Sequence, residues 1–205
     1  MIPSVNIPSE RYVDLYIGRM SVVRKIIASE MLSVEGFMEE ERGRLDWFAQ
    51  DEELNDEAMN LLESVDAIIY GRVTYEMMAG FWPYAPGPFA ARTNELQKYV
   101  VTGTLKETPW GTWNNARPLS GKLSEEIERL KNEPGKDMVI YGSGSVVREL
   151  TEHGLIDEYR LIVNPVVLGK GTPLFGALSG RLPLKLHEAK VFPSGAVALT
   201  YEKSR

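Results

Sequence analysis

Apolar runs of strand length alternate with segments whose apolar residues recur at helical spacing through most of this 205-residue chain. Such alternation is typical of α/β domains, in which a sheet is covered by the helices that connect its strands. The apolar runs predict strands at residues 22–28, 66–70, 98–102 and 137–141. The helical spacing predicts helices at residues 54–62, 72–79, 123–130 and 146–150.

The pattern changes near the C-terminus, where three predicted strands follow one another with little helix between them. They lie at residues 158–163, 184–192 and 196–202. Ser194 and Gly195 form a short turn between the last two, as in an antiparallel hairpin. We therefore predict an α/β fold with a mixed, mostly parallel central sheet and an antiparallel C-terminal hairpin. Residues 21–205 are predicted to form one domain, because their number suits a single well-filled core.

Residues 1–20 differ from the rest, since they show no clear periodicity and include Pro3 and Pro8. We predict that they form an N-terminal extension. Two arrangements stay open for it: a loose arm, or a segment that packs on a neighbouring subunit.

The charge and composition of the chain limit the classes of function that we expect. The formal charge is −6 and no basic run with interleaved aromatic residues occurs, so we expect no nucleic-acid partner. The absence of cysteine excludes disulfides, zinc–thiolate sites and thiol nucleophiles. His153 and His187 lie far apart without a carboxylate pattern, so we expect no metal. The sequence shows neither a signal peptide nor a bilayer-spanning segment, so we expect a cytoplasmic protein that does not bind membranes.

The turn Gly142-Ser143-Gly144-Ser145 joins a predicted strand directly to a predicted helix. Glycines let the backbone approach a ligand closely, and the N-terminus of a helix attracts anions. The segment alone fits a phosphate site and a well-capped helix about equally. It does not match the G-x-G-x-x-G pattern of dinucleotide-binding Rossmann domains, because Val147 stands at the position of the third glycine.

Two other strand ends carry similar residues: Gly71-Arg72-Val73-Thr74 and Thr102-Gly103-Thr104. An arginine and hydroxyl groups at the carboxyl ends of strands favour an extended, charged ligand such as a nucleotide. Each turn also has a simpler interpretation, because Thr74 is equally compatible with a helix cap and Arg72 with a solvated charge.

Further stretches accompany these turns: RKIIA at 24–28, SVEGF at 33–37, LDW at 45–47, DAIIYGRVTYE at 66–76, KYVVT at 98–102, YGSGS at 141–145, GLIDEYRL at 154–161 and PVVLGKGTPLF at 165–175. In order and content they resemble the dihydrofolate reductase-like superfamily. The branch that they resemble most is the C-terminal reductase domain of bacterial riboflavin-biosynthesis deaminase-reductases, as a stand-alone member. The resemblance covers nearly everything after Met20.

The resemblance implies a three-layer fold with helices on both faces of the sheet, and an NADPH site. The implied cofactor-binding residues are Ala28 and Gly36 against the nicotinamide; Gly71, Arg72 and Thr74 at the adenosine-side phosphates; Thr102 and Thr104 near the 2′-phosphate; and Gly142, Ser143, Gly144 and Ser145 around the pyrophosphate. Relatives often carry a basic residue where Gly103 stands here. NADH is therefore not excluded as the cofactor.

Hydride transfer also needs a proton donor in many reductions. Asp46 is one candidate, because its neighbours Trp47 and Phe48 could raise its pKa. Glu35 is a second, since it lies in the loop expected over the nicotinamide. A helix cap or a surface aspartate is an equally plain interpretation of Asp46.

The resemblance implies a pyrimidine-like or pterin-like substrate and a homodimer. The aromatic residues at 81–84 (FWPY) fit either a stacking surface for such a ring or a lid that packs on its own core. We expect an NAD(P)H-dependent oxidoreductase. The alternative function is a catalytically silent nucleotide-binding module that acts as a ligand sensor or structural dimer.

Overall fold

The computed structural model describes residues 23–40 and 43–204. These residues form the strands β1 (Ile26–Leu32), β2 (Phe37–Glu40), β3 (Val65–Gly71), β4 (Gln97–Val101), β5 (Ala116–Leu119), β6 (Asp137–Tyr141), β7 (Glu158–Val163), β8 (Gly171–Pro173), β9 (Leu184–Val191) and β10 (Val197–Lys203). Eight of them make one sheet in the order β5-β4-β3-β6-β1-β7-β10-β9, and β2 and β8 make a separate ribbon.

The sheet is mostly parallel. Neighbouring strands from β5 to β7 run parallel, whereas β10 is antiparallel to both β7 and β9. The predicted mixed sheet and its C-terminal hairpin are therefore confirmed. Because the parallel strands point the same way, their carboxyl ends and the turns that follow them meet at one edge.

Helices cover both faces of the sheet. They are α1 (Glu52–Ser64), α2 (Arg72–Ala79), α3 (Pro88–Glu95), α4 (Leu123–Lys131) and α5 (Gly144–Glu152), with a short 3-10 helix at Trp82–Tyr84. Successive residues of a strand point to opposite faces. Ile26 and Ala28 accordingly pack in a core cluster with α4 and α5, and Ile27 packs in a second cluster with α1 and α2. The three-layer dihydrofolate reductase-like fold is confirmed.

The first strand differs from its prediction. The apolar run ends at Ala28, but β1 continues to Leu32 and pairs with β7 as far as Val163. Ser29 and Glu30 interrupt the apolar pattern, yet they are 6% and 1% exposed. In a sequence, a polar residue after an apolar run is usually taken as the end of a strand. Here the strand continues, because the fold buries the carboxyl side chain of Glu30.

Helix α3 and the β2–β8 ribbon were not predicted. Gly87 and Pro88 are residue types typical of loops, but proline also fits the first turn of a helix, where no backbone donor is needed. The ribbon joins strands far apart in the sequence, and its pairing includes Glu40 with Gly171. Neither strand has a periodicity long enough to be recognised.

Residues 1–20, the predicted N-terminal extension, lie outside the described residues, so their arrangement stays a prediction. Within the described part of the chain, each helix is too short or too polar to cross a membrane.

Candidate functional site

A cleft of about 760 Å³ opens at the carboxyl edge of the parallel strands. Ligands of open α/β sheets bind at this edge, because helix N-termini converge there. The three turns singled out in the sequence all line the cleft. Their residues in its wall are Gly71, Arg72, Thr74, Thr102, Thr104, Gly142, Ser143, Gly144 and Ser145.

The turns that precede α2 and α5 are bonded to each other. The backbone N–H of Gly71 donates to Oγ of Ser143 at 2.9 Å, and that hydroxyl donates to the carbonyl of Tyr141 at 3.0 Å. A Cβ atom at Gly71 would lie 3.3 Å from Cγ2 of Val146. Glycine at this position therefore lets the two turns approach without displacing a neighbour.

Helices α2 and α5 both begin without a capping side chain from the described residues. Thr74 does not cap α2, because its hydroxyl donates to the carbonyl of Gly142 at 2.8 Å and so joins the two turns a second time. The first-turn N–H groups of a helix carry partial positive charge and need acceptors. Phosphate oxygens are the acceptors that such helix ends bind in proteins.

Arg72 and Thr102 have protein partners in the structure. The Thr102 hydroxyl accepts from the backbone N–H of Thr104 at 3.1 Å and of Leu105 at 3.0 Å, so it stabilises its own turn. Arg72 pairs with Glu76 at 3.0 Å, and both side chains are about half exposed. Exposed pairs of this kind contribute at most about 1 kcal/mol, so Arg72 can exchange Glu76 for a phosphate at little cost.

The β2–β8 ribbon covers the start of α5. Met38 of β2 lies directly over Gly144, where any Cβ atom would meet its sulfur. Arg148 of α5 donates to the backbone carbonyls of Pro173 at 3.1 Å and Leu174 at 3.3 Å, and so holds β8 in place. The ribbon thus screens this part of the cleft from water.

The remaining wall is rich in methionine and aromatic side chains: Leu62, Ile68, Tyr70, Met77, Met78, Trp82 and Phe89. Trp82 lies 5.1 Å from Phe89 between ring centroids, and its Nε1–H donates to the sulfur of Met78 at 3.0 Å. Phe81 and Tyr84, from the same aromatic group, are 57% and 77% exposed. Of this group, only Trp82 belongs to the wall of the cleft.

Glu30 is a candidate that sequence reasoning missed. It lines the cleft although it is only 1% exposed, and burial raises its pKa to about 8. The backbone N–H of Ser143 donates to its Oε1 at 3.4 Å. An acidic residue within an apolar strand was the only sign of it in the sequence.

Asp46 and Glu35, the predicted proton donors, do not belong to the cleft wall. The hydrogen bond from Arg44 at 2.6 Å lowers the pKa of Asp46, so the expected rise beside Trp47 and Phe48 is wrong. The backbone N–H of Gly169, at 2.8 Å, lowers the pKa of Glu35. Both carboxylates are exposed. Their role as proton donors stays a prediction, and their lowered pKa values argue against it.

Ala28 and Gly36, predicted to lie against the nicotinamide, are also outside the wall. Ala28 is fully buried in the core. Because β1 extends beyond Ala28, the residues that reach the cleft from this strand are Ser29, Glu30 and Met31. Gly36 adopts a φ of 82° in the turn between β1 and β2, which favours glycine.

Comparison with known proteins agrees with the fold. A family model described as the RibD C-terminal domain matches residues 24–198. The uncharacterised protein YyaP of Bacillus subtilis (strain 168) is 32% identical over 183 residues, which cover 87% of this chain and 94% of YyaP.

Two solved structures are similar as well. A putative riboflavin biosynthesis protein from Shewanella sp. PV-4 has a TM-score of 0.74 at 25% identity, over 88% of this chain and 99% of that one. Dihydrofolate reductase from Enterococcus faecalis, complexed with NADP(H), has a TM-score of 0.61 at 18% identity, over 88% of this chain and 97% of that one. The resemblance inferred from the sequence is confirmed: the chain belongs to the RibD C-terminal domain family.

Proposed function

We propose that the protein is an NADPH-dependent reductase of a small heterocycle of the pyrimidine or pterin class, related to the reductase of riboflavin biosynthesis. The observation that carries this proposal is the pair of adjoining, uncapped helix N-termini at one cleft. Together they offer backbone donors to two linked phosphates. The similarity to a dihydrofolate reductase complexed with NADP(H) supports the same cofactor.

The residues of the cleft suit this cofactor. Gly142, Ser143, Gly144 and Ser145 would hold the pyrophosphate, while Gly71, Arg72 and Thr74 would hold the adenosine-side phosphates. A bound nicotinamide supplies the hydride. The protein's part is to orient the two rings and exclude water. The β2–β8 ribbon and the apolar wall around Trp82 provide surfaces for both tasks.

The choice between NADPH and NADH depends on a cation near the 2′-phosphate. Arg72 is the cation that the three turns contribute to the wall, because Gly103 brings no charge. Because of Arg72, we propose that NADPH is the cofactor and that NADH binds more weakly. We further propose that the enzyme acts as a homodimer. The support is the sheet edge at β9, which has no strand partner among the described residues.

The cofactor assignment is tested by Gly144→Val. A Cβ atom here meets the sulfur of Met38, so the valine side chain displaces the β2–β8 ribbon from the first turn of α5. NADPH affinity should then fall at least 100-fold, about the effect of losing two hydrogen bonds to a charged group. Affinity is measured by the fluorescence of bound NADPH. Gly180→Val is the matched control, since a Cβ atom there meets nothing within 4 Å and the residue lies outside the cleft. Thermal melts of both variants test folding, and unchanged NADPH binding in a folded Gly144→Val protein excludes the cofactor site.

Turnover separates the reductase from the silent nucleotide-binding module. NADPH absorbance is followed against a panel of pterins and ribosylaminopyrimidines. Oxidation that depends on one of these compounds supports the reductase. NADPH binding without oxidation across the panel supports the module instead.

A further inference from the structure

Glu30 lies where β1 and β6 separate. The pairing of these strands ends at Ser29 with Tyr141, whereas β1 continues beside β7 to Leu32. After Tyr141 the chain turns at Gly142, which has a φ of 59°. The side chain of Glu30 therefore lies in the gap that opens beside β1 where β6 ends. It forms part of the cleft wall beside Gly142.

The two carboxyl oxygens of Glu30 have different surroundings. Oε1 accepts the backbone N–H of Ser143 at 3.4 Å, while Oε2 is buried without a hydrogen-bond partner among the described residues. Burial raises the pKa of this carboxyl to about 8, although the N–H groups of Ser143 and Gly142 act in the opposite direction. Below that pH the carboxyl holds a proton, and a proton on Oε2 has no acceptor among the described residues.

Several buried polar atoms that lack a hydrogen-bond partner belong to residues of this cleft wall. Of the four buried side-chain polar atoms without a partner in the described residues, those of Glu30, Thr93 and Tyr141 belong to its wall. A bound ligand would supply the missing partners, because a buried polar atom that stays unpaired destabilises the native protein.

Only Glu30 of these three is suited to give up a proton near neutral pH. A threonine hydroxyl does not ionise in this range, and burial raises the pKa of Tyr141 above its ordinary value. Two further carboxylates belong to the wall, but Glu39 is bonded to Thr172 at 2.9 Å and Glu149 is exposed. A general acid works best when its pKa lies near the operating pH.

We propose that Glu30 is the catalytic acid of this cleft and protonates a ring nitrogen or carbonyl oxygen of the heterocyclic substrate. This inference rests on the proposed reductase function. The Oε2–H bond of Glu30 breaks, and an N–H or O–H bond forms on the substrate. The adjacent substrate carbon gains the hydride and its two electrons from the reduced nicotinamide, which is oxidised, so a C=N or C=O bond becomes single. The Glu30 carboxylate keeps the Ser143 N–H and regains its proton from water.

The protonation state is tested without turnover. Infrared difference spectra of wild-type protein against Glu30→Gln, each with bound NADPH, isolate the carboxyl band of Glu30. We expect a protonated carboxyl at pH 7 that ionises near pH 8. A carboxylate already ionised at pH 6 in the NADPH complex overturns the proposal.

The chemical role is tested by single-turnover oxidation of bound NADPH with the panel compound that wild-type protein reduces. Glu30→Gln should slow this step about 10²- to 10⁴-fold. It should also remove the loss of rate that we expect for wild-type protein above about pH 8. NADPH affinity at pH 7 should change by less than about threefold, because a neutral acid is replaced by a neutral amide. Glu125→Gln is the control, since this carboxylate is exposed on α4 and, among the described residues, pairs with Lys122 alone.

The outcomes distinguish the two proposals. Equal rates in wild-type protein and Glu30→Gln overturn the role of Glu30 and leave the reductase intact. Failure of wild-type protein to bind NADPH overturns the reductase, and the role of Glu30 with it. If NADPH binds but no panel compound is reduced, the infrared titration decides whether Glu30 holds the proton that the proposal requires.

Discussion

Arg72 should determine cofactor preference. Its pairing with exposed Glu76 is weak, so the guanidinium is available to a phosphate at the cleft. A charge-assisted hydrogen bond to phosphate is worth about 1.5–3 kcal/mol, so Arg72→Ala should weaken NADPH binding about 10- to 100-fold. NADH binding should change far less, because NADH lacks the 2′-phosphate.

Fluorescence titration with both cofactors measures the effect of Arg72→Ala. Arg181→Ala is a suitable control, since Arg181 is exposed and lies outside the cleft wall. Equal losses for NADPH and NADH would show that Arg72 holds a phosphate common to both, or supports the turn itself.

Lys98 should make stability depend on pH. Its side chain is fully buried, and Nζ donates to the carbonyl of Asn94 at 2.7 Å and lies 4.5 Å from the ring centroid of Trp110. Burial lowers its pKa to about 7. Between this pH and the ordinary lysine pKa, the unfolded chain binds more protons than the native protein. The free energy of unfolding therefore gains up to about 1.4 kcal/mol per pH unit from Lys98 as pH rises through that range.

Lys98→Met should remove this contribution. The Asn94 carbonyl keeps a donor in the variant, because Nδ2 of Asn115 also bonds to it at 2.7 Å. Urea unfolding of both proteins from pH 7.5 to 10 measures the difference. Parallel stability curves for the two proteins would show that Lys98 is charged in the native state.

The pKa values of Glu30 and Asp46 could not be inferred from their neighbours in the sequence. Aromatic neighbours along the chain suggested a raised pKa for Asp46, but the nearby guanidinium of Arg44 and solvent determine it instead. Glu30 has no unusual neighbour in the sequence, and its burial arises from β6, β7 and the turn at Gly142. Burial by distant segments is not encoded in local pattern.

At the scale of elements, the buried strands and the amphipathic helices were predictable because their apolar residues follow a clear period. The length of β1 was not, since Glu30 interrupts that period. The β2–β8 ribbon depends on pairing between distant segments, including Glu40 with Gly171. Pairing between segments so far apart cannot be recognised from a short stretch of sequence.

The candidate site was predictable as a set of turns because parallel strands end at one edge. The sequence did not show how the turns are joined. Gly71 bonds to Ser143, and Thr74 bonds to Gly142, so α2 and α5 begin side by side. These bonds join the separate turns into one continuous surface, which is the surface that the proposed dinucleotide would occupy.

At the scale of the molecule, the sheet ends at β9, whose outer side has no strand partner in the described residues. Val191 lies opposite Val197, and Leu186 lies opposite Tyr201, so their side chains share one face of the hairpin. Val191 is 70% and Leu186 50% exposed. An apolar edge strand left open promotes association with another chain, which supports the proposed homodimer.

Replacing both residues should therefore separate the dimer. In Leu186→Lys combined with Val191→Lys, association loses two apolar contacts worth about 1.5–3 kcal/mol each when fully buried, and charges face each other across the interface. We expect the dissociation constant to rise at least 100-fold in sedimentation velocity experiments. Glu188→Lys is the control, because Glu188 lies opposite Thr200 on the other face of the hairpin. A wild-type protein that sediments as a monomer would overturn the proposed homodimer. A double variant that still dimerises would place the interface elsewhere.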